Sequence, residues 1–502
     1  MNNEVDAAGP GEFGYKQELR RVLRLFAVFS VAFSVVSITT GIFLNYAFGI
    51  THLGPVSIWL WPVAAVGQTL VALILAELAT RIPLAGANYQ WAARLVGPRY
   101  GYLVGALGIL YSAVGMPGIL LLGASPLLIT ALGGDASNTR LVFAVAVVLI
   151  VLAFGVNVVS VQLAARVNNV AVATEIIGTV LLALLLFGLW VGHAKPSPHG
   201  FEILGAHATL PGQSLFYGIV LASLIGVYTL VGFEAAADMS EETVDARRTV
   251  PKAIMLSVIV SGVLGMITLV GFTVAIPDLG AITNSELPLA DISSYWLGGT
   301  LTSVFLLIVV FSMVALTVVA AAASARLLYA MARDNMLPGS RLLRGVSGGR
   351  RTPVPALVTS LVICLALMSF GYLNGNAFGL LVGATALIPY LVYLLTVLGY
   401  GVRRHRLDRL PGAFHLGRWA VPVFVAALVW LLAAVAALIL PAAFRDAVWV
   451  TVGGLILAGF WYAVGLRGRL RRGEAGPPLL PDAAAPRSAT DVSNTNVSEG
   501  SP

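Results

Sequence analysis

Two short stretches place polar chemistry where an apolar chain should have none. SITTGIFLNY, residues 37–46, sets Ser37, Thr39, Thr40 and Gly41 in the middle of an apolar run from about residue 25 to 50. VYTLVGFEAAAD, residues 227–238, interrupts another apolar run at Thr229 and Gly232 and follows it with Glu234. An unwound turn in such a run frees N–H groups at the start of one half-helix and C=O groups at the end of the other. The N–H end suits a carboxylate, and the C=O end suits an ammonium or metal cation. Gly41 and Gly232 permit close approach and unusual dihedrals. A third candidate is Glu175, nine residues past Arg166. At ~1.5 Å per residue it sits ~13 Å deep, near the middle of a ~30 Å hydrocarbon core. A carboxylate there costs at least ~2.5–3.5 kcal/mol to insert, so it should face the bundle interior, as Asn168 and Thr179 on its helical face suggest.

The elements that must hold these residues follow from composition. The chain is 58% hydrophobic and 11% charged, against about a quarter charged in soluble domains. It reads as an all-α integral membrane protein, because apolar runs without strand alternation can cross lipid only as helices. Twelve spans are expected, at about 25–50, 57–80, 100–132, 140–161, 167–191, 214–239, 252–276, 301–330, 354–373, 376–400, 419–441 and 447–466. All but Arg140, Lys195 and Arg445 of the 30 Lys and Arg fall in alternate connecting segments, which predicts that both termini are cytoplasmic. The net charge of +7 therefore belongs to loops and implies no nucleic acid. Residues 1–24 are too polar for a secretory signal and are expected to be retained. Residues 473–502, rich in Pro, Ala, Ser and Thr, are expected to be a disordered tail. The glycosylation pattern at 496–498 carries no weight on the cytoplasmic side. Cys364 alone builds no disulfide or metal site. His193, His199 and His207 have no metal-ligand spacing and read as a solvated loop. No cofactor is expected.

The interruptions at Gly41 and Gly232 fall at matching places in two groups of five spans, which points to a transporter built from inverted repeats. The plainer reading is helix packing. Ser30, Ser34, Ser37, Gly41 and Asn45 share one face, as do Gly218, Ala222 and Gly226, and small residues gather where membrane helices touch. The matched pair favours a site, and the two readings are compatible.

The chain resembles the amino acid–polyamine–organocation permeases. SITTGIF is similar to their first-helix G-x-G-I-F region, with Thr39 for the first glycine. GFEAAADMSEET is similar to their sixth-helix G-F-E…E-E signature. Residues 76–105 resemble their A-E-L…P…G-G-x-Y-x-W loop, with Ala87 for the second glycine. SARLLYAMARDNMLP, 324–338, resembles S-R-L-L-Y-A-M-A-R-D-G-x-L-P, with Asn335 for glycine. The resemblance implies a leucine-transporter-like fold: a ten-helix, five-plus-five inverted-repeat core (25–400) with two peripheral helices (401–472). It also implies that N–H groups of Thr39, Thr40, Gly41 and Ile42 take a substrate carboxylate. Carbonyls of Tyr228, Thr229, Leu230 and Val231 take an ammonium, and Phe233, beside Gly232, covers the substrate. Many members carry a lysine in place of Glu175.

Three roles stay open for Glu175: carrier of a coupling proton, counter-ion to a cationic substrate, or hydrogen-bonded anchor. Glu234 either buttresses the unwound segment or gates it. An i,i+4 ion pair with Arg81 accounts for Glu77, and helix-end anchoring accounts for Arg326, Arg333 and Asp334. No HExxH, GxSxG or acidic metal pair lies in a span, which argues against an enzyme, and a channel would need filter loops or charge rings. The expectation is a secondary transporter of small amino acids in a bacterial inner membrane, surrounded by lipid and coupled to a proton. The runner-up substrate is an amine such as choline, γ-aminobutyrate, ethanolamine or a polyamine.

Overall fold

Hydrocarbon offers backbone groups no partner, so long apolar runs fold as helices that satisfy themselves. The computed structural model describes residues 10–195, 199–207, 210, 212–285, 287–348, 351–374, 377–404 and 413–477. The expectations for residues 1–9, for most of the tail and for the 496–498 pattern lie outside these. Among the described residues, eleven helical stretches are long and apolar enough to cross a membrane. Among the described residues the only extended pairing is an isolated bridge between Leu23 and Thr243.

The helices that matter here are α1 (Leu25–Val36), α2 (Ile38–Leu53), α3 (Leu60–Arg81), α4 (Ala87–Leu95), α5 (Pro98–Ala131), α6 (Thr139–Val159) and α7 (Val161–Val191). They continue as α8 (Leu215–Val227), α9 (Ala235–Asp238), α10 (Ala246–Val274), α11 (Gly299–Arg333), α12 (Val354–Leu373), α13 (Ala377–Arg403), α14 (Ala420–Ile439) and α15 (Ala447–Arg471).

The long spans are one fewer than the twelve expected, and the difference falls at 214–239. That stretch is not one helix. It forms α8, an irregular segment over 228–234, and the single turn α9. The first span is also broken, at Ser37 rather than at Gly41. Ser37 is left-handed at φ 37°, and its hydroxyl accepts the Thr40 N–H as the N-cap of α2. The Gly41 N–H already bonds Ser37 O at 3.0 Å, so Gly41 lies inside the first turn of α2 and is not the hinge.

The broken pair is central. Of the α1–α2 window, 72% is buried, against 11% of the α15 window, which puts the breaks in the middle and α15 on the rim. α1 packs on α7, α10 and α11, while α11 also contacts α5 and α6. α14 lies against α3 and α13, and α15 against α5 and α13. Their outer faces carry exposed Val425, Val429, Leu432, Ile456, Leu457 and Phe460, the surface expected against lipid chains.

Both described ends of the chain meet on one face, here the terminal face. Residues 10–24 form an arm across it. Val22 and Leu23 donate N–H groups to Glu242 O, and Val244 N–H returns to Leu23 O. Tyr15 donates to Asp334 Oδ1 at 2.7 Å, and Tyr329 donates to Glu18 at 2.6 Å. Gly476 N–H reaches Asp334 O.

Candidate functional site

The two interruptions cross in direct contact. A Cβ on Gly41 would lie 2.2 Å from Thr229 Cγ2 and Oγ1. A Cβ on Gly232 would lie 2.2 Å from Val35 Cγ1, and Gly232 holds φ +90°. Glycine at these two positions therefore lets each broken segment sit against the other. Thr229 also donates its hydroxyl back to Ile225 O at 2.8 Å, so both branches of its side chain are fixed at the crossing.

A pocket of about 40 Å³ lies at the crossing. Five of the residues expected at the site, Thr40, Gly41, Tyr228, Thr229 and Val231, line it together with Val35, Val36, Tyr111, Gly115, Ile119, Leu316 and Thr385. The remaining expected residues point elsewhere. Ile42 and Leu230 are buried in the core. Thr39 turns toward α7, its hydroxyl 2.8 Å from that of Thr179. Phe233 is fully buried and stacks on Tyr393 at 5.2 Å between centroids, so it braces the break instead of covering the pocket. The apolar and tyrosine walls from α5, α11 and α13 carry no motif that would have found them.

The backbone at the crossing is polarised. The carbonyls of Tyr228, Leu230 and Val231 accept no hydrogen bond from the described residues, whereas Thr229 O accepts from Val231 N–H. Three of the four N-terminal N–H groups of α2 are used. Thr39 N–H donates to Glu175 Oε1 at 3.1 Å, Thr40 N–H to Ser37 Oγ at 3.4 Å, and Gly41 N–H to Ser37 O. The pocket is therefore richer in free acceptors than in free donors.

Glu175 sits behind α2, 2% exposed and outside the pocket wall. It accepts from the Thr39 N–H and from the Ser37 hydroxyl at 3.2 Å. Its carboxylate thus closes the positive end of the α2 half-helix.

Tyrosines of α13 brace the sixth segment, a feature that the sequence reading missed. Tyr393 accepts the Gly232 N–H at 2.8 Å and donates to Glu234. Tyr390 donates to Val227 O at 2.9 Å and accepts from Gln68 at 2.7 Å. Below the break a second cavity of about 110 Å³ extends toward the terminal face. Gly232, Glu234 and Asp238 line it, with Tyr111, Ser112, Asn88 and Tyr89. Glu234 and Asp238 are half-buried.

Ion pairs close the terminal side of this region. Arg326 Nε meets Glu242 at 2.6 Å with both side chains 2% exposed. Arg333 makes a bidentate pair with Glu241, which also accepts the Ala85 N–H. These arginines tie α11 to the end of the sixth segment, beyond the helix-end anchoring that the sequence suggested. Glu77 and Arg81 approach at 3.9 Å, as expected, and Glu77 also accepts from Tyr400. Burial raises the Asp334 carboxyl above its ordinary range, against the pull of Tyr15 and the Arg333 guanidinium.

A family model described as amino acid permease matches residues 23–463. The chain is 27% identical to the amino-acid permease BAT1 of Arabidopsis thaliana, over 86% of this chain and 88% of the relative. It is 26% identical to the GABA-specific permease of Saccharomyces cerevisiae, over 73% and 67%. It is 25% identical to the low-affinity putrescine importer PlaP of Escherichia coli, over 70% and 75%.

Proposed function

Because this chain belongs to the amino acid permease family, within the amino acid–polyamine–organocation permeases, we propose that it is a secondary active transporter, not an enzyme, that carries a small amino acid or amine across a membrane by alternating access. The observation that carries this reading is the crossing of two broken helices over one pocket, at Gly41 against Thr229 and Gly232 against Val35. Irregular backbone at membrane depth is tolerated where it lines a cavity, and there it binds. Residues 25–400 form the transport core and 401–472 the peripheral helices. The relatives' names supply both substrate classes: amino acid in the plant protein, γ-aminobutyrate and putrescine in the yeast and bacterial ones.

The terminal face is the cytoplasmic one in this reading, by its excess of Lys and Arg, and the membrane is the cytoplasmic membrane of a bacterium. The larger cavity then opens the site toward the cytoplasm, with the arm and its ion pairs as the closure to be released. Transport is coupled to a proton. Glu234 and Asp238 face the cavity, where water can exchange a proton with them, while Glu175 is sealed behind α2.

Uptake into proteoliposomes with an imposed pH gradient tests this reading. Labelled amino acids or amines should accumulate only while the gradient lasts, and Glu234→Gln should retain exchange but lose accumulation. Flux with no saturation, or none for any member of a panel of neutral and charged amino acids, γ-aminobutyrate, choline and putrescine, would reject the transporter.

A further inference from the structure

We propose that Glu175 is a built-in replacement for a substrate carboxylate, so that the site prefers amines over the amino acids that differ from them by one carboxylate. This rests on the transporter reading above.

The positive pole of α2 is where a substrate carboxylate would dock. Here it holds a carboxylate of the protein itself. Glu175 takes the Thr39 N–H, Ser37 takes those of Thr40 and Gly41, and the Ser37 hydroxyl also donates to Glu175. The Thr39–Thr179 hydroxyl contact at 2.8 Å holds α2 against α7 in this register. A second carboxylate at Thr40 or Gly41 would find its donors engaged. It would also crowd the Glu175 carboxyl group that already occupies this pole.

The charged side chains and free carbonyls of the two cavities attract cations, while their other polar side chains, among them Tyr111, Ser112 and Asn88, are neutral. The Tyr228, Leu230 and Val231 carbonyls are without donors among the described residues, and Tyr228 and Val231 line the pocket. Glu234 and Asp238 line the larger cavity, and neither cavity has a Lys, Arg or His among its described lining residues. Arg326 acts on Asp238 only through space, because its guanidinium is paired with Glu242. Val35, Tyr111, Gly115, Ile119 and Leu316 line both cavities. They form a mainly apolar sleeve, with the Tyr111 ring in its wall, between the carbonyl end and the carboxylate end. A methylene chain with an ammonium at one or both ends fits that arrangement: a primary amine, or an α,ω-diamine whose second charge reaches Glu234 and Asp238.

The test uses pairs that differ by one carboxylate: putrescine and ornithine, cadaverine and lysine, ethanolamine and serine. Uptake into proteoliposomes and binding to detergent-purified protein are both measured. The wild type should favour each amine by about tenfold or more, the scale of one charge-assisted hydrogen bond. Glu175→Gln and Glu175→Ala should bring that ratio toward one, and Glu175→Asp should preserve it. Asp238→Asn should weaken binding of the diamines about fivefold or more, the scale of one lost ionic contact. A wild type that takes the amino acids equally well overturns the proposal, even where the Glu175 variants fail to fold. So does an unmoved ratio in well-folded Glu175→Gln. Selective amine binding without uptake keeps the proposal and removes the transport reading, whereas no binding by any compound removes both.

Discussion

Gly41 and Thr229 touch across the two broken helices with no room for a methyl group, since a Cβ on Gly41 would fall 2.2 Å from two atoms of Thr229. The contact joins the two halves of the pocket, so substitutions there should act on transport before they act on membrane insertion. Gly41→Ala should cost about 1–3 kcal/mol of stability as overpacking and lower uptake strongly. Adding Thr229→Ser, which removes the Cγ2 methyl, should restore part of both. Melting in detergent and initial uptake rates read the two effects.

Gly232 combines a steric and a conformational demand. Gly232→Val should abolish uptake while leaving the protein inserted, as surface biotinylation of an exposed loop would report. Val35→Ala should relieve the clash in Gly232→Ala, but the left-handed backbone at φ +90° leaves a cost of about 1–2 kcal/mol. A double variant as stable as wild type would show that the backbone relaxes.

Tyr393 joins the Gly232 N–H to the Glu234 carboxylate. Tyr393→Phe keeps the ring stacked on Phe233 and removes only the hydroxyl. It should cost about 1–3 kcal/mol, the scale of leaving a buried partner unpaired, and should lower the uptake rate more than substrate affinity. A binding assay beside the uptake assay separates the two.

Arg326 and Glu242 are each 2% exposed in their ion pair. Removing one partner, as in Arg326→Met, should cost about 3–5 kcal/mol because the other charge stays buried. Replacing both by apolar residues should recover most of the loss. A double-mutant cycle on melting midpoints measures it.

Much of this arrangement is legible in the sequence, and the gaps have physical reasons. Membrane helices announce themselves by length and apolarity, and Glu175 stands out because a charge in such a run is costly. The glycines mark the crossing, since close approach needs them. The hinge at Ser37 carries a weaker signal than the nearby glycine: serine is a favoured N-cap, and here it accepts the Thr40 N–H, but serine is also common where membrane helices pack. Phe233 was misplaced because the resemblance fixes its position along the chain but not the direction of its ring. Tyr390, Tyr393 and Asp238 had no signal of their own: tyrosine in a span is common near membrane interfaces, and Asp238 lay inside a motif already assigned.

Two departures from the family pattern are informative. Ala87 and Asn335 replace glycines, and both hold positive φ, at 24° and 56°. Asparagine tolerates that region, and Asn335 also donates to Glu474 O at 3.0 Å. Asn335→Gly should be nearly neutral, whereas Asn335→Val should cost about 1–2 kcal/mol, read as a lower melting midpoint.

The arm over residues 10–24 sets an order on biosynthesis. Its Glu18 is bonded to Tyr329, 311 residues later in the chain. At a synthesis rate of about 5–20 residues per second, that partner emerges roughly 15–60 s after the arm does. The first described segment to leave the ribosome is thus among the last to find its place. Until α11 has been made, the terminal face has no complete clasp.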